Sequence, residues 1–212
     1  MKYKAVIFDL DGVICSTDHD HYLAWKKIAG EIGVPFDKTV NNRLRGIGRR
    51  ESLEILLGFR SSEFSEEAKT ELTERKNLLY GELLKNMSPQ DLDPAVRKTM
   101  DLLKARGIKI AIGSSSKNAK LILQQIGLKD YFDAISDGTN ISRSKPDPEV
   151  FIKASEYLGV EPQFCLVVED SRAGVEAAVA ANMDCAAMGD AAGAGMATYD
   201  LECFSDLLCY VT

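Results

Sequence analysis

Two aspartates, Asp9 and Asp11, stand one residue apart at the end of the apolar run Ala5-Val6-Ile7-Phe8. Like charges this close each make the other harder to ionise, so the pairing needs a reason. Polar groups also follow two other apolar runs: Ser114-Ser115-Ser116-Lys117-Asn118 after Lys109–Gly113, and Glu169-Asp170 after Cys165–Val168. If the three runs are parallel strands, these groups converge on one sheet edge and four carboxylates share a small volume. Two charges about 4 Å apart repel by roughly 4 kcal/mol at an effective dielectric of about 20, so such a cluster needs cations. A hard divalent ion bound by carboxylate and carbonyl oxygens fits, and Mg2+ suits this donor set best. Lys145, in Ser144-Lys145-Pro146, adds a positive charge if its loop reaches the same edge.

Each group alone has a plainer reading. Asp-X-Asp-Gly makes tight turns, serines and asparagines cap helices, and a lone lysine is usually solvated. Their joint occurrence at successive strand ends favours a site. The chemistry that fits is attack by a carboxylate on phosphorus, with the phosphoryl oxygens neutralised by Mg2+ and Lys145 and held by donors near Ser114. One aspartate is then the nucleophile, forming an aspartyl phosphate. The other gives a proton to the leaving oxygen and later takes one back.

Hydrophobic periodicity gives the scaffold for these groups. The three runs, with a weaker one at Cys185–Gly189, read as buried parallel strands. Helical patterns at Pro94–Arg106, Lys117–Ile126, Pro148–Leu158 and Ser171–Asn182 alternate with them, which predicts a doubly wound α/β sheet. From about Ser16 to Gln90 the pattern is helical throughout. Trp25, Ile28, Ala29 and Ile32 share a face that Gly33 and Pro35 terminate, and Ser65 is an N-cap for a helix striped by Ala68, Leu72, Leu79 and Leu83. Inserted after the first strand, this block sits over the sheet's carboxyl edge as a lid. Lys76 interrupts the stripe; it either meets an anion or snorkels to solvent. His21, four residues before Trp25, is either a core histidine or a functional one.

Composition narrows the classes. The chain has 212 residues, 45% hydrophobic and 27% charged, and a formal charge of −6, which argues against a nucleic-acid or anionic-membrane surface. The first apolar stretch is too short for a signal peptide or a spanning helix. Five cysteines without a CxxC pair, four beside or within apolar runs, are expected as core thiols in a reducing cytoplasm, and a zinc site is not expected. No GxGxxG follows the first strand, so a dinucleotide site is excluded. A lone response-regulator receiver would have no place for the helical insert.

Asp9-Leu10-Asp11-Gly12-Val13, a serine after the second core strand, Lys145-Pro146 and Glu169-Asp170-Ser171 resemble, in order, the motifs of haloacid-dehalogenase-superfamily phosphotransferases with a helical cap. The resemblance spans nearly all the chain and weakens beyond Gly189. His21 with Ala24-Trp25-Lys26, Leu44-Arg45-Gly46 with Arg49, Arg75-Lys76-Asn77, Ser114–Asn118 and Ser144-Lys145-Pro146 are most similar to members that isomerise β-glucose 1-phosphate to glucose 6-phosphate.

The resemblance implies a doubly wound, mostly parallel Rossmann-like sheet of residues 1–15 and 91–212, with an all-helical cap at 16–90. It implies Asp9 as nucleophile and Asp11 as general acid–base, with Mg2+ held by Asp9, the Asp11 carbonyl, Glu169 and Asp170. Ser114 and Lys145 would hold the transferring phosphate. Arg49, Ser116, Lys117 and Asn118 would grip a second one, and Ser115 and Trp25 complete the substrate-binding set. Thr17, His21 and Lys76 would link cap closure to Asp11. It further implies glucose 1,6-bisphosphate as activator and intermediate, a phosphorylated sugar as substrate, and a cytoplasmic monomer that binds neither nucleic acid nor membrane. Two positions depart from the pattern: Arg45 stands where lysine is expected, and Gly48 where serine is expected, which should loosen the loop and shift sugar choice. A sugar-phosphate phosphatase on the same scaffold is the alternative.

Overall fold

A computed structural model describes residues 2–44 and 46–211, so Arg45, the first departure, lies outside the described residues. Six strands are assigned: β1 (Ala5–Phe8), β2 (Lys109–Gly113), β3 (Ala134–Ser136), β4 (Cys165–Glu169), β5 (Asp184–Ala187) and β6 (Tyr199–Asp200). They form one sheet in the order β3-β2-β1-β4-β5-β6. Every pairing is parallel, where a mostly parallel sheet was expected. Phe8 is in register with Ile112 of β2 and Val168 of β4, so the three central strands end nearly flush, β2 and β4 running one residue further.

Side chains alternate across β1 as the pleat dictates. Val6 and Phe8 join one apolar cluster with helices α5 (Pro94–Ala105) and α6 (Ala119–Gln125); Ala5 and Ile7 join another with α7 (Glu149–Leu158) and α8 (Arg172–Ala180). The short α9 (Leu207–Tyr210) closes the first cluster through Leu207. Between β1 and α5 lies a helical insertion: α1 (Asp18–Glu31), α2 (Lys38–Asn42), α3 (Arg49–Leu57) and α4 (Glu66–Leu84). It has its own core, in which Trp25, Ile28 and Ala29 of α1 meet Leu53, Leu56 and Leu57 of α3 and Leu72 of α4. Ser65 caps α4 by accepting from the Ala68 N–H. Among the described residues no helix is long and apolar enough to cross a membrane.

Several expectations change. The buried stripe of α4 is Lys69, Leu72, Lys76, Tyr80 and Leu84, rotated from the expected one, with Leu79 and Leu83 at its margin. Polar side chains with partners occupy positions that hydropathy assigns to solvent. Strand β5 ends at Ala187, and β3 and β6 were not anticipated because they are three and two residues long. Helix α6 begins at Ala119 instead of Lys117, which leaves Ser114–Asn118 as a loop. Cys15, Cys165 and Cys185 are buried free thiols, but Cys203 and Cys209 are exposed, so three cysteines and not four are core residues.

Candidate active site

The nearly flush strand ends deliver Asp9, Ser114 and the Glu169-Asp170 pair to one edge. Lys145 arrives on the loop before α7 and is 1% exposed. Its Nζ lies 2.5 Å from both Asp9 Oδ1 and Glu169 Oε1, and 4.6 Å from the Phe151 ring centroid. Burial works against the ammonium charge, but the two carboxylates hold its pKa above the usual lysine range. The Asp9 pKa is raised too: burial, with Glu169, Asp170 and Asp11 nearby, lifts it well above the carboxylate range despite Lys145. One ammonium does not balance the cluster.

Glu169 is completely buried. Its Oε2 accepts from the backbone N–H groups of Asp170 and Ser171, both at 2.9 Å, and from Ser171 Oγ at 3.0 Å. The carboxylate lies so close to Gly174 that a Cβ there would be 1.8 Å from Oε1. Asp9, Glu169 and Asp170 each offer an oxygen within 4.8 Å of the other two. Three buried carboxylates facing one another with a single lysine among them suit a small, hard divalent cation.

The Ser114–Asn118 loop is held by its own hydroxyls. Ser114 Oγ accepts from the Ser116 N–H, Ser116 Oγ from the Asn118 N–H, and Ser115 Oγ from the Lys145 N–H. Gly138, just beyond β3, supports the loop from below by donating to Ser116 O at 3.1 Å. A Cβ at Gly138 would lie 2.5 Å from Ser115 O and 2.8 Å from Lys117 N.

Across the cleft, Thr17 Oγ1 donates to Asp11 Oδ1 and accepts from Tyr80 OH at 2.9 Å. Burial is the chief cause raising the Asp11 pKa, with Thr17 opposing it. Lys76 Nζ is 2.7 Å from His21 Nδ1 and lies over the Tyr80 and Trp25 rings, at 4.3 and 5.3 Å from their centroids. Burial and Arg49 hold Lys76 well below the usual lysine range. Burial and the neighbouring cations lower His21 likewise. Arg49 Nη2 and Asn118 Nδ2 both donate to Asn77 Oδ1, each at 2.7 Å, so insertion and core meet on one carboxamide oxygen.

A cavity between the sheet edge and the insertion is lined by Asp9, Asp11, Ser114, Ser115, Ser116, Asn118, Lys145 and Asp170 on one side. His21, Trp25, Arg49 and Lys76 line the other. Of the expected residues, Thr17 and Glu169 lie behind this wall, and Lys117 is exposed and outside it. The wall also contains Leu44 and Gly46, quoted above only for the family resemblance, and Asp18, Asn41, Ile47, Ser52 and Tyr80, which sequence reasoning did not select. Tyr80, one helical turn after Lys76, and Ser52, three residues after Arg49, were within reach of a spacing argument; Asn41 and Ile47 carried no such signal. Asn77 was noticed only as a neighbour of Lys76.

A family model for haloacid dehalogenase-like hydrolases matches residues 3–182. The chain belongs to this family. As a haloacid dehalogenase-like hydrolase, it is 46% identical over 182 residues to the β-phosphoglucomutase of Bacillus subtilis (strain 168), covering 85% of this chain and 80% of that protein. It is 33% identical over 184 residues to a phosphorylated carbohydrates phosphatase of Thermotoga maritima, covering 85% and 82%. The crystal structure of a β-phosphoglucomutase from Clostridium difficile superposes with a TM-score of 0.91 at 37% identity, over 97% of this chain and 93% of that one. The family relation and the parallel sheet with flanking helices thus agree with the sequence motifs.

Proposed function

We propose that the protein is a Mg2+-dependent mutase that interconverts β-glucose 1-phosphate and glucose 6-phosphate through an aspartyl phosphate and glucose 1,6-bisphosphate. The observation that carries this reading is the meeting of Arg49 and Asn118 on Asn77, in a cleft that also contains Asp9 and Lys145. A bisphosphate needs two anion-binding ends, and a phosphatase needs one. The similarity to β-phosphoglucomutases supports it independently.

In this reading residues 16–90 are a cap on a core of 1–15 and 91–212. Asp9, Glu169, Asp170 and the Asp11 carbonyl hold Mg2+, which supplies positive charge to the reacting phosphoryl oxygens. Lys145 and Ser114 hold the same phosphate. The Asp9 carboxylate bonds to phosphorus as the sugar oxygen leaves, and Asp11, whose pKa burial raises, gives that oxygen its proton. On the return step Asp11 takes the proton from the attacking hydroxyl. Ser115 ties the phosphate loop to Lys145, and Thr17, held by Tyr80, aims Asp11. Lys76 and His21, with Trp25 beneath them, form the cap wall, and the closed cap excludes the water that would hydrolyse the aspartyl phosphate. Arg49, Ser116 and Asn118 bind the distal phosphate, and Lys117 adds long-range charge at its rim.

The similarity to a phosphorylated carbohydrates phosphatase favours hydrolysis of a sugar phosphate as the second reading. A phosphorus NMR time course with β-glucose 1-phosphate, Mg2+ and a trace of glucose 1,6-bisphosphate decides between them. Accumulation of glucose 6-phosphate is the expected result; inorganic phosphate as main product would select the phosphatase.

A further inference from the structure

Gly48 is the N-cap of α3, with φ −65° and ψ 149°, a conformation open to any residue. No side-chain cap bond is made there, although Ser, Thr, Asp or Asn at an N-cap typically adds about 1 kcal/mol over alanine. The backbone therefore does not explain the glycine, but the space does. A Cβ on Gly48 would lie 2.9 Å from Ser144 Oγ and 3.1 Å from Ser144 Cβ. Gly48 is packed against the core, so the loosening expected from sequence is not what the structure has. Two residues earlier, Gly46 has φ +73°, and its Cβ would lie 2.4 Å from Ser171 Oγ. The insertion thus rests on two core serines. Ser144 precedes Lys145, and Ser171 donates to Glu169, the carboxylate that orients Lys145.

We propose that Gly48 is a positioning residue whose missing side chain sets how deeply the insertion seats on the Lys145 loop. Arg49 is the next residue, so the seating depth also sets the span between the Asp9 end of the cleft and the Arg49–Asn118 end. That span bears on which bisphosphates fit, a consequence that rests on the mutase reading; the seating itself does not.

The test compares Gly48→Ala, Gly48→Ser, Ser144→Gly and the double variant Gly48→Ala/Ser144→Gly. Amide hydrogen exchange is followed in residues 47–53 and 142–147, alongside the share of turnovers ending as inorganic phosphate. Both single Gly48 variants should raise exchange in the two segments by about fivefold, the equivalent of about 1 kcal/mol, while Ser144→Gly stays near wild type. The double variant should return to within about twofold of wild type, because removing Ser144 Cβ restores the room but repairs no cap. If Gly48 served only the helix terminus, Gly48→Ser would slow exchange by improving the N-cap, which would overturn the proposal, as would failure of Ser144→Gly to rescue. Free phosphate as main product from the wild type would refute the mutase reading while the exchange pattern still decides the role of Gly48.

Discussion

Lys76 and His21 face each other 2.7 Å apart in the wall of the cleft, the lysine buried over two aromatic rings and the histidine half-buried. Histidine brings no negative charge to the lysine, and Arg49 nearby opposes the lysine's charged form. A lysine kept in such a place for stability alone would be a poor choice. Lys76→Met should leave the unfolding free energy within about 1 kcal/mol of wild type. It should lower phosphoryl transfer by roughly 100-fold, the effect of a misplaced reacting group. Urea denaturation beside steady-state kinetics reads both, and a large loss of stability with normal turnover would reverse the interpretation.

Asp11→Asn separates acid–base work from metal binding. Transfer should slow by about 10²–10⁴-fold, the usual contribution of a general acid–base. Isothermal titration should find Mg2+ affinity retained, since only the backbone carbonyl of Asp11 is assigned to the ion.

Arg49→Ala removes one of the two donors on Asn77 Oδ1. Loss of a charged hydrogen bond of about 1.5–3 kcal/mol predicts a roughly 10–100-fold fall in kcat/KM for the bisphosphate. Hydrolysis of para-nitrophenyl phosphate, which has no second phosphate, should change little. Equal losses on both substrates would argue against a distal anion site.

Gly138→Ala should displace the phosphate loop, because the new methyl would meet backbone atoms of Ser115 and Lys117 that have no rotamer to change. Overpacking of this kind costs about 1–3 kcal/mol, measurable by urea titration, and should raise KM for the phosphorylated substrate.

Glu149 holds the start of the Lys145 loop. Its carboxylate accepts from Ser142 and from the Arg143 N–H and pairs with Lys153 at 2.8 Å. The Lys153 contact, then those to Ser142 and Arg143, pull its pKa down to about 2 from the ordinary 4.5. A depressed carboxylate stabilises the fold above its unfolded pKa and loses that contribution as pH falls through the folded one, here from about 4.5 towards 2. Acid titration monitored by circular dichroism should find Glu149→Gln less pH-sensitive than wild type across that window.

The fold was legible where the chain obeys simple periods. Apart from the exposed Lys109, Ala5–Phe8, Lys109–Gly113 and Cys165–Val168 are buried on both faces and run into polar residues, so their type could be read directly and their ends to within one residue, β4 reaching Glu169. The carboxylates came with them, because strand ends in a parallel sheet converge; Lys145, on the loop before α7, could be placed only on the condition that its loop reached the same edge. β3 and β6 are too short to carry a period, and the α4 stripe is rotated because Lys69 and Lys76 are buried with polar partners. The roles of Asn77 and Gly48 depend on contacts between insertion and core, which no local pattern encodes.

The nearly level ending of β1, β2 and β4 bears on how the chain tolerates indels. Side chains alternate sides with every residue, so a one-residue insertion within any of these strands would invert the facing of all its later residues and carry Asp9, Ser114 or Glu169 away from the others. An extra residue beside the exposed Phe59 in the 3-10 turn Gly58–Glu63 would shift only the Arg60 and Ser61 side-chain contacts and no strand register, at small entropic cost. Length variation among descendants of this chain should therefore collect in such turns and spare the three strands.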